Sequence, residues 1–185
     1  MFSLYIENIK DYNIEEAKES LSDNILLRCN KNKVEEKRNQ SIIGYYLLKK
    51  FLKEDYNIEF NYLLENEYGK PYINEIYFNI SHSKNMIAII ISDRECGVDI
   101  EVSSDKNLRL ANKILNNKEL ETISNYSNED KLDYIMQKWV SIEAYSKMMG
   151  KNFNLDSNIN VNAVKVYHNL EEDVYYLAKY IKNCE

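Results

Sequence analysis

The segment Gly97-Val98-Asp99-Ile100-Glu101 alternates apolar and acidic residues, and it follows an apolar run at residues 86–91. This alternation predicts a strand. Because successive strand side chains point to opposite faces, Asp99 and Glu101 project from the same face. Two like charges on one face repel each other, and a divalent cation would relieve that repulsion. The preceding apolar run favours a central strand, whereas the alternative is the solvent face of an edge strand.

A second acidic segment lies some forty residues further on, in Trp139-Val140-Ser141-Ile142-Glu143-Ala144-Tyr145-Ser146-Lys147. Trp139, Glu143 and Lys147 recur at every fourth position, so they align along one stripe of a helix. Mg²⁺ prefers oxygen ligands and substrate phosphates, so these two segments together suit that ion and a phosphate. The alternative is an ordinary helix-surface pair of Glu143 and Lys147, worth about 0.2–0.5 kcal/mol.

Composition narrows the class of protein. The chain of 185 residues fits one domain or two small halves, and 44 % hydrophobic residues are enough to bury a core. The net charge of -6 argues against a nucleic-acid partner. The acid at Glu7 and the short apolar run at 86–91 predict neither a signal peptide nor a membrane partner. Cys29, Cys96 and Cys184 form no C-x-x-C pair, which indicates reduced thiols of a cytoplasmic protein.

Apolar periodicity predicts an α+β fold. The expected strands are residues 2–6, 58–62, 76–80, 86–91, 96–102, 158–167 and 174–181. The expected helices are residues 34–54, 107–126 with a break near Asn116-Asn117, and 128–149 closed by Gly150. Strand, helix and strands therefore occur twice in succession. This near-repetition suggests two similar α/β halves, at residues 1–94 and 95–185.

Several segments resemble the 4'-phosphopantetheinyl transferases of the surfactin-synthetase-activating (Sfp-type) branch. In the family's order they are Lys37-Arg38-Asn39-Gln40-Ser41, Tyr68-Gly69-Lys70-Pro71-Tyr72, Phe78-Asn79-Ile80-Ser81-His82-Ser83 and the two acidic segments. The resemblance implies a pseudo-twofold pair of halves with coenzyme A in the cleft between them. It implies Mg²⁺-dependent transfer of 4'-phosphopantetheine from coenzyme A to a serine hydroxyl of an apo acyl or peptidyl carrier protein. Adenosine 3',5'-bisphosphate would leave, and a monomer would be competent.

The resemblance also implies roles for the acidic segments. Asp99, Glu101 and Glu143 would bind the metal, and Glu143 would also act as general base on the carrier serine, directly or through a bound water. Lys147 would neutralise charge on the phosphate being transferred. Asp99, Glu143 and Lys147 are thus the predicted catalytic residues, and Trp139 is expected to pack and fix the helix.

Further residues are implied as contacts to coenzyme A. Ser81 and His82 would bind its nucleotide end, with His82 donating to a phosphate. Lys70 would lie in a rigid turn near the adenine, and Arg38 and Ser41 would bind the 3'-phosphate. A structural histidine and an exposed turn lysine are the alternatives for His82 and Lys70.

One position departs from the family. Ile142 stands where the family usually has a lysine before the glutamate, and this keeps open a non-catalytic coenzyme A-binding module. A metal-dependent nuclease is a second alternative, but the lysine such sites commonly carry two residues after the second acid is here Ser103.

Carrier docking has one candidate segment, a stretch of basic residues on the predicted helix at 107–126 and just before it. Carrier proteins are usually acidic, so a basic patch could receive them, although an ordinary amphipathic helix explains the same pattern. The basic residues are Lys106, Arg109, Lys113 and Lys118.

Overall fold

The computed structural model describes residues 1–66, 69–73, 76–150, 159–167 and 173–182. Tyr68 of the second motif, Asn158 at the start of a predicted strand, and Cys184 lie outside the described residues. Helices and strands are mixed along the chain, as the sequence predicts. No helix among the described residues combines the length and apolarity needed to span a membrane.

The first sheet has five antiparallel strands in the order β1-β5-β4-β3-β2. Its strands are β1 (Phe2–Asn8), β2 (Leu64–Glu65), β3 (Pro71–Ile73), β4 (Ile76–Ser83) and β5 (Met86–Ser92). Three helices connect β1 to β2. They are α1 (Ile14–Ser20), α2 (Asp23–Cys29) and α3 (Glu35–Tyr56).

The second sheet has three antiparallel strands in the order β6-β8-β7. Its strands are β6 (Cys96–Val102), β7 (Ala163–Tyr167) and β8 (Val174–Ile181). A 3₁₀ turn at Asp105–Leu110 and three helices lie between β6 and β7. The helices are α4 (Ala111–Ile114), α5 (Asn117–Ile123) and α6 (Asn128–Met149).

β5 lies between two apolar clusters, which explains why all seven of its residues are buried. Ile87, Ile89 and Ile91 pack with α3, whereas Ala88 and Ile90 on the opposite face pack against residues of β6 and β8. Each buried aliphatic side chain contributes about 1.5–3 kcal/mol relative to exposure. β5 therefore joins the helical layer of the first sheet to the second sheet.

The two long helices end in the same way. Asn57 after α3 has φ 54°, and Gly150 after α6 has φ 65°, so both close their helix in the left-handed region. At the other end of α6, the Ser127 side chain accepts a hydrogen bond from Asp130 N at 3.1 Å. The expected end of α6 at Gly150 is confirmed.

The secondary structure differs from the sequence expectation in several places. The strand expected at 158–167 begins only at Ala163, as β7, and α1 and α2 were not expected. Residues 58–62 form no strand: Phe60 is buried beside Tyr45, so its apolar character serves core packing without strand pairing. The expected helix at 107–126 is instead a 3₁₀ turn followed by α4 and α5. The break near Asn116 is confirmed, because Asn116 Oδ1 accepts from Glu119 N at 3.0 Å and begins α5.

Candidate active site

Among the described residues β6 has a backbone partner on one side only, β8, so the expectation of a central strand is wrong. On its other side the N–H groups of β6 are bound by side chains of β4. These hydrogen bonds run from Val98 N to Asn79 Oδ1 at 3.0 Å, from Ile100 N to Ser81 Oγ at 3.3 Å, and from Val102 N to Ser83 Oγ at 3.0 Å. Every second residue of β4 thus accepts a hydrogen bond from the backbone of every second residue of β6. These bonds join the two sheets along the acidic segment.

Asp99 lies at the centre of this junction and is only 2 % exposed. Its Oδ1 accepts hydrogen bonds from Lys147 Nζ at 2.6 Å and from Ser81 Oγ at 2.8 Å. Lys147 Nζ also lies 3.0 Å from Ser81 Oγ. Asp99 Oδ2 is buried and has no hydrogen-bond partner among the described residues. A buried carboxylate oxygen without a partner costs free energy, and a bound cation would offset that cost.

Gly97 allows α6 to lie directly against β6. A Cβ atom at Gly97 would lie 2.1 Å from Ala144 O and 2.4 Å from Met148 N, which are backbone atoms of α6. Glycine is therefore required for the close approach that brings Glu143 and Lys147 to the acidic face of β6.

The three carboxylates interact electrostatically. Burial raises the pKa of Glu101, and the charge of Asp99 raises it further, with a smaller contribution from Glu143. Burial and the Asp99 charge likewise raise the pKa of Glu143. Lys147 opposes both shifts. Three acids thus interact with the ammonium groups of Lys147 and Lys113, and the surplus negative charge favours a bound cation.

The acidic residues of the site have the chemistry of metal ligands, but their side chains are not yet close enough together to form a metal site. Within the described part of the chain, no group of three or more His, Cys, Asp or Glu side chains is close enough to hold a metal ion. The oxygen donors, the surplus negative charge and the unpartnered Asp99 Oδ2 nevertheless fit a hard divalent cation. Glu101 Oε2 accepts a hydrogen bond from Ser83 Oγ at 2.8 Å, which orients this carboxylate.

Ser81 and His82 point to opposite faces of β4. Ser81 lies opposite Ala88 and joins the Asp99 cluster, whereas His82 lies opposite Ile87, on the face that carries α3. They therefore form no serine–histidine pair, as the strand geometry predicts. Burial lowers the pKa of His82, and the charges of Lys147 and Lys37 lower it further, which favours a neutral ring at pH 7.

Arg38 and Ser41 lie on the first turns of α3 and share a neighbour, Asn32. Asn32 Nδ2 donates to Ser41 Oγ at 3.0 Å, and Arg38 Nη1 donates to Asn32 O at 3.5 Å. The charge of Lys37 acts on His82, which places that ring close to the same end of the helix. The structure thus groups Arg38 and Ser41 around Asn32, which is an additional polar residue that the motifs did not indicate.

The ammonium of Lys70 lies elsewhere. Its Nζ donates to Cys96 O and to Met148 O, both at 2.9 Å, and burial lowers its pKa. Lys70 thereby connects the turn before β3 with the start of β6 and the end of α6, so the alternative of an exposed turn lysine is wrong. Its predicted contact with coenzyme A stays a prediction, as does that of His82.

Trp139 and Ile142 both pack, as their positions on α6 indicate. Ile142 is 4 % exposed and lies in a cluster with Ile114 of α4. Lys113 Nζ lies 5.1 Å from the centroid of the Trp139 ring. The basic residues Lys106, Arg109, Lys113 and Lys118 are all exposed, but they lie on three short segments and do not share one helix.

Comparison with known proteins identifies the family that this geometry resembles. The model of the 4'-phosphopantetheinyl transferase superfamily matches residues 95–180, which contain β6, α6 and all but the last residue of β8. Three curated relatives carry the name 4'-phosphopantetheinyl transferase. The first is gsp of Aneurinibacillus migulanus, which is 30 % identical over 122 residues, or 64 % of this chain and 52 % of that protein. The second is Sfp of Bacillus subtilis strain 168, which is 24 % identical over 133 residues, or 69 % of this chain and 59 % of that protein. The third is psf-1 of Bacillus pumilus, which is 26 % identical over 120 residues, or 62 % of this chain and 52 % of that protein.

The resemblance to Sfp-type 4'-phosphopantetheinyl transferases is therefore confirmed. The matched part of the chain spans somewhat more than half the length of these relatives, 52 % of gsp and 59 % of Sfp.

Proposed function

We propose that this chain is a Mg²⁺-dependent 4'-phosphopantetheinyl transferase that acts on coenzyme A and an apo acyl or peptidyl carrier protein. The proposal rests chiefly on one observation. Lys147 and Ser81 both bind Asp99 Oδ1, while Asp99 Oδ2 has no hydrogen-bond partner among the described residues. Three elements distant along the chain build this site, and they carry the residues that the family's motifs imply. The family match supports the same reaction class.

In the proposed reaction, the serine hydroxyl of the carrier attacks the β-phosphorus of coenzyme A. A new P–O bond forms to the serine oxygen, the bond from the β-phosphorus to the bridging oxygen breaks, and adenosine 3',5'-bisphosphate leaves. Glu143 accepts the serine proton, directly or through a water. Burial and Asp99 raise the pKa of Glu143 in the protein without metal, which favours proton acceptance there.

Lys147 and Asp99 have complementary parts in this reaction. The ammonium of Lys147 donates hydrogen bonds to Asp99 Oδ1 and to Ser81 Oγ. These contacts hold it beside the carboxylate whose second oxygen, Oδ2, has no partner among the described residues. A preorganised charge of this kind stabilises phosphate oxygens in a transition state. Asp99, Glu101 and Glu143 would hold Mg²⁺, which when bound supplies charge neutralisation to the diphosphate.

The nucleotide end of coenzyme A is proposed to bind at the start of α3. Arg38 and Ser41 offer a cation and a hydroxyl to the 3'-phosphate, and His82 donates a hydrogen bond from a neutral ring. Lys70 is also proposed to lie near the adenine. Its ammonium already donates hydrogen bonds to Cys96 O and Met148 O. Removing Lys70 tests whether that residue binds the ligand or only positions α6.

The strand orders of the two sheets bear on how the chain is divided. Each sheet orders its strands as first, last and penultimate, β1-β5-β4 and β6-β8-β7, and a 22-residue helix follows each first strand. This parallel supports two pseudo-twofold halves at 1–94 and 95–185. One chain supplies every residue named for the site, which supports a monomer. The buried thiols of Cys29 and Cys96 suit a cytoplasmic protein.

A mass-spectrometric assay tests the proposed function. The protein is incubated with coenzyme A, Mg²⁺ and a panel of apo-carriers from fatty-acid, polyketide and nonribosomal-peptide systems. We expect one carrier or more to gain the mass of one phosphopantetheine group. Tight coenzyme A binding with no mass gain on any carrier would instead support a non-catalytic module, and cleavage of a phosphodiester substrate would support a nuclease.

A further inference from the structure

Position 142 of this chain cannot supply the lysine that usually precedes the glutamate in the family. The side chain of Ile142 is 4 % exposed and packs in an apolar cluster between α6 and the segments before it. Ile114 and Leu115 belong to that cluster and are buried at 4 % and 7 % exposure. Ile142 therefore serves as a packing contact that holds the α4 turn against α6.

This packing brings a different lysine to the site. Lys113 directly precedes Ile114, so burial of Ile114 against α6 fixes the backbone from which the Lys113 side chain extends. Its ammonium lies 5.1 Å from the centroid of the Trp139 ring, within the range of a cation–π contact. Trp139 lies one helical turn before Glu143, so the contact directs Lys113 along the stripe of α6 that carries Glu143 and Lys147.

Lys113 and Lys147 lie toward opposite ends of that stripe of α6. Lys113 lies against Trp139 at one end, and Lys147 is hydrogen-bonded to Asp99 at the other. Glu143 lies between Trp139 and Lys147, one helical turn from each. Lys113 is exposed, so its flexible four-carbon stem can follow a ligand without a cost in packing.

We propose that Lys113 supplies the cation that Ile142 lacks, and that it binds the β-phosphate of coenzyme A. This role rests on the proposed function, because it assumes that coenzyme A lies beside Glu143. A diphosphate brought next to three carboxylates needs more positive charge than Lys147 provides. The interaction of Lys113 is with the ligand, and it differs from the carrier docking suggested by the basic sequence pattern.

Equilibrium binding of coenzyme A and of adenosine 3',5'-bisphosphate, measured by calorimetry without carrier, tests this role. The bisphosphate lacks the β-phosphate, so it reports on the nucleotide subsite alone. Lys113→Met keeps an apolar stem over Trp139 and removes the charge, whereas Lys113→Arg keeps the charge. Lys50→Met, at an exposed lysine of α3, is the matched control.

We expect Lys113→Met to weaken coenzyme A binding about tenfold, the size of a charged hydrogen bond, and to leave the bisphosphate nearly unaffected. Lys113→Arg should bind coenzyme A within about twofold of the unmodified protein, and Lys50→Met should not change it. Equal weakening for both ligands, or an unchanged coenzyme A affinity with a raised KM for carrier, would overturn the proposal.

The same titrations separate this inference from the proposed function. If the unmodified protein binds coenzyme A but transfers nothing, the transferase proposal fails while the comparison of Lys113 variants still decides the role of Lys113. If the unmodified protein binds no coenzyme A, both proposals are wrong.

Discussion

Gly97→Ala is the change whose consequence follows most directly from the structure. The added Cβ would lie 2.1 Å from Ala144 O, which is 1.3 Å less than the 3.4 Å at which ordinary contact begins. Both nearest atoms belong to the backbone of α6, so no side-chain rotation relieves the overlap and the helix must move away from β6. Such overpacking costs typically about 1–3 kcal/mol of unfolding free energy.

The same displacement moves Glu143 and Lys147 away from Asp99. A misplacement of about 1 Å costs on the order of 100-fold in rate, so we expect Gly97→Ala to lower kcat by about that factor. Urea unfolding and the initial rate of carrier modification measure the two effects separately.

Gly44→Ala is the matched control for this experiment. Its added Cβ would lie 3.0 Å from Ile80 Cγ2, a side-chain methyl group and not a backbone atom, and it lies on α3 away from the acidic cluster. Gly44→Ala should therefore leave kcat within about twofold, because a side-chain adjustment does not move the catalytic residues. A Gly97→Ala protein with the stability and the rate of the unmodified protein would refute the inferred packing of α6 on β6.

Three further changes test the junction. Lys147→Met removes the ammonium from buried Asp99, so urea unfolding should show a loss of about 2 kcal/mol, and transfer should fall sharply; an unchanged midpoint would contradict the 2.6 Å pair. Lys70→Ala should destabilise by about 1–3 kcal/mol through loss of its two carbonyl contacts, while an unchanged coenzyme A Kd would assign Lys70 a positioning role alone. Glu143→Gln should raise the unfolding free energy at pH 7. Because burial and Asp99 raise the folded-state pKa above the ordinary 4.5, ionising Glu143 at neutral pH destabilises the fold. The gain should shrink as the pH falls from 7 toward 4.5 and disappear below 4.5, where Glu143 is protonated in both states, and a gain independent of pH between 4 and 7 would contradict the assignment.

Regular patterns in the sequence were sufficient to predict much of the fold. The expected bounds of β6 and β8 agree with the structure, because each is a short run with strand character bounded by polar residues. The end of α6 at Gly150 and the break at Asn116 were predictable for a local reason, since both depend on one capping residue. The helices α1 and α2 were missed, although Asn13 caps α1 by accepting from Glu15 N at 2.9 Å. Each has only seven residues, too few to show a clear apolar period.

Contacts between distant elements could not be predicted from pattern alone. The spacing of acidic residues indicated that the two acidic segments serve one site, and the structure brings Lys147 of the second segment to Asp99 of the first, a contact that was not expected. The edge position of β6 was unpredictable, because the side chains that bind its free N–H groups come from β4 and replace a backbone partner. Lys70 likewise showed no sequence signal for its carbonyl contacts, which form only after two segments from the second half of the chain meet.

A calorimetric titration of Mg²⁺ into the protein, with and without coenzyme A, tests the central claim most directly. The claim is that Asp99 Oδ2, which has no hydrogen-bond partner among the described residues, binds a cation together with the diphosphate of coenzyme A. We expect coenzyme A to tighten Mg²⁺ binding, and Asp99→Asn to abolish this coupling while far-ultraviolet circular dichroism still shows a folded protein. Mg²⁺ binding that is indifferent both to coenzyme A and to Asp99→Asn would contradict the account.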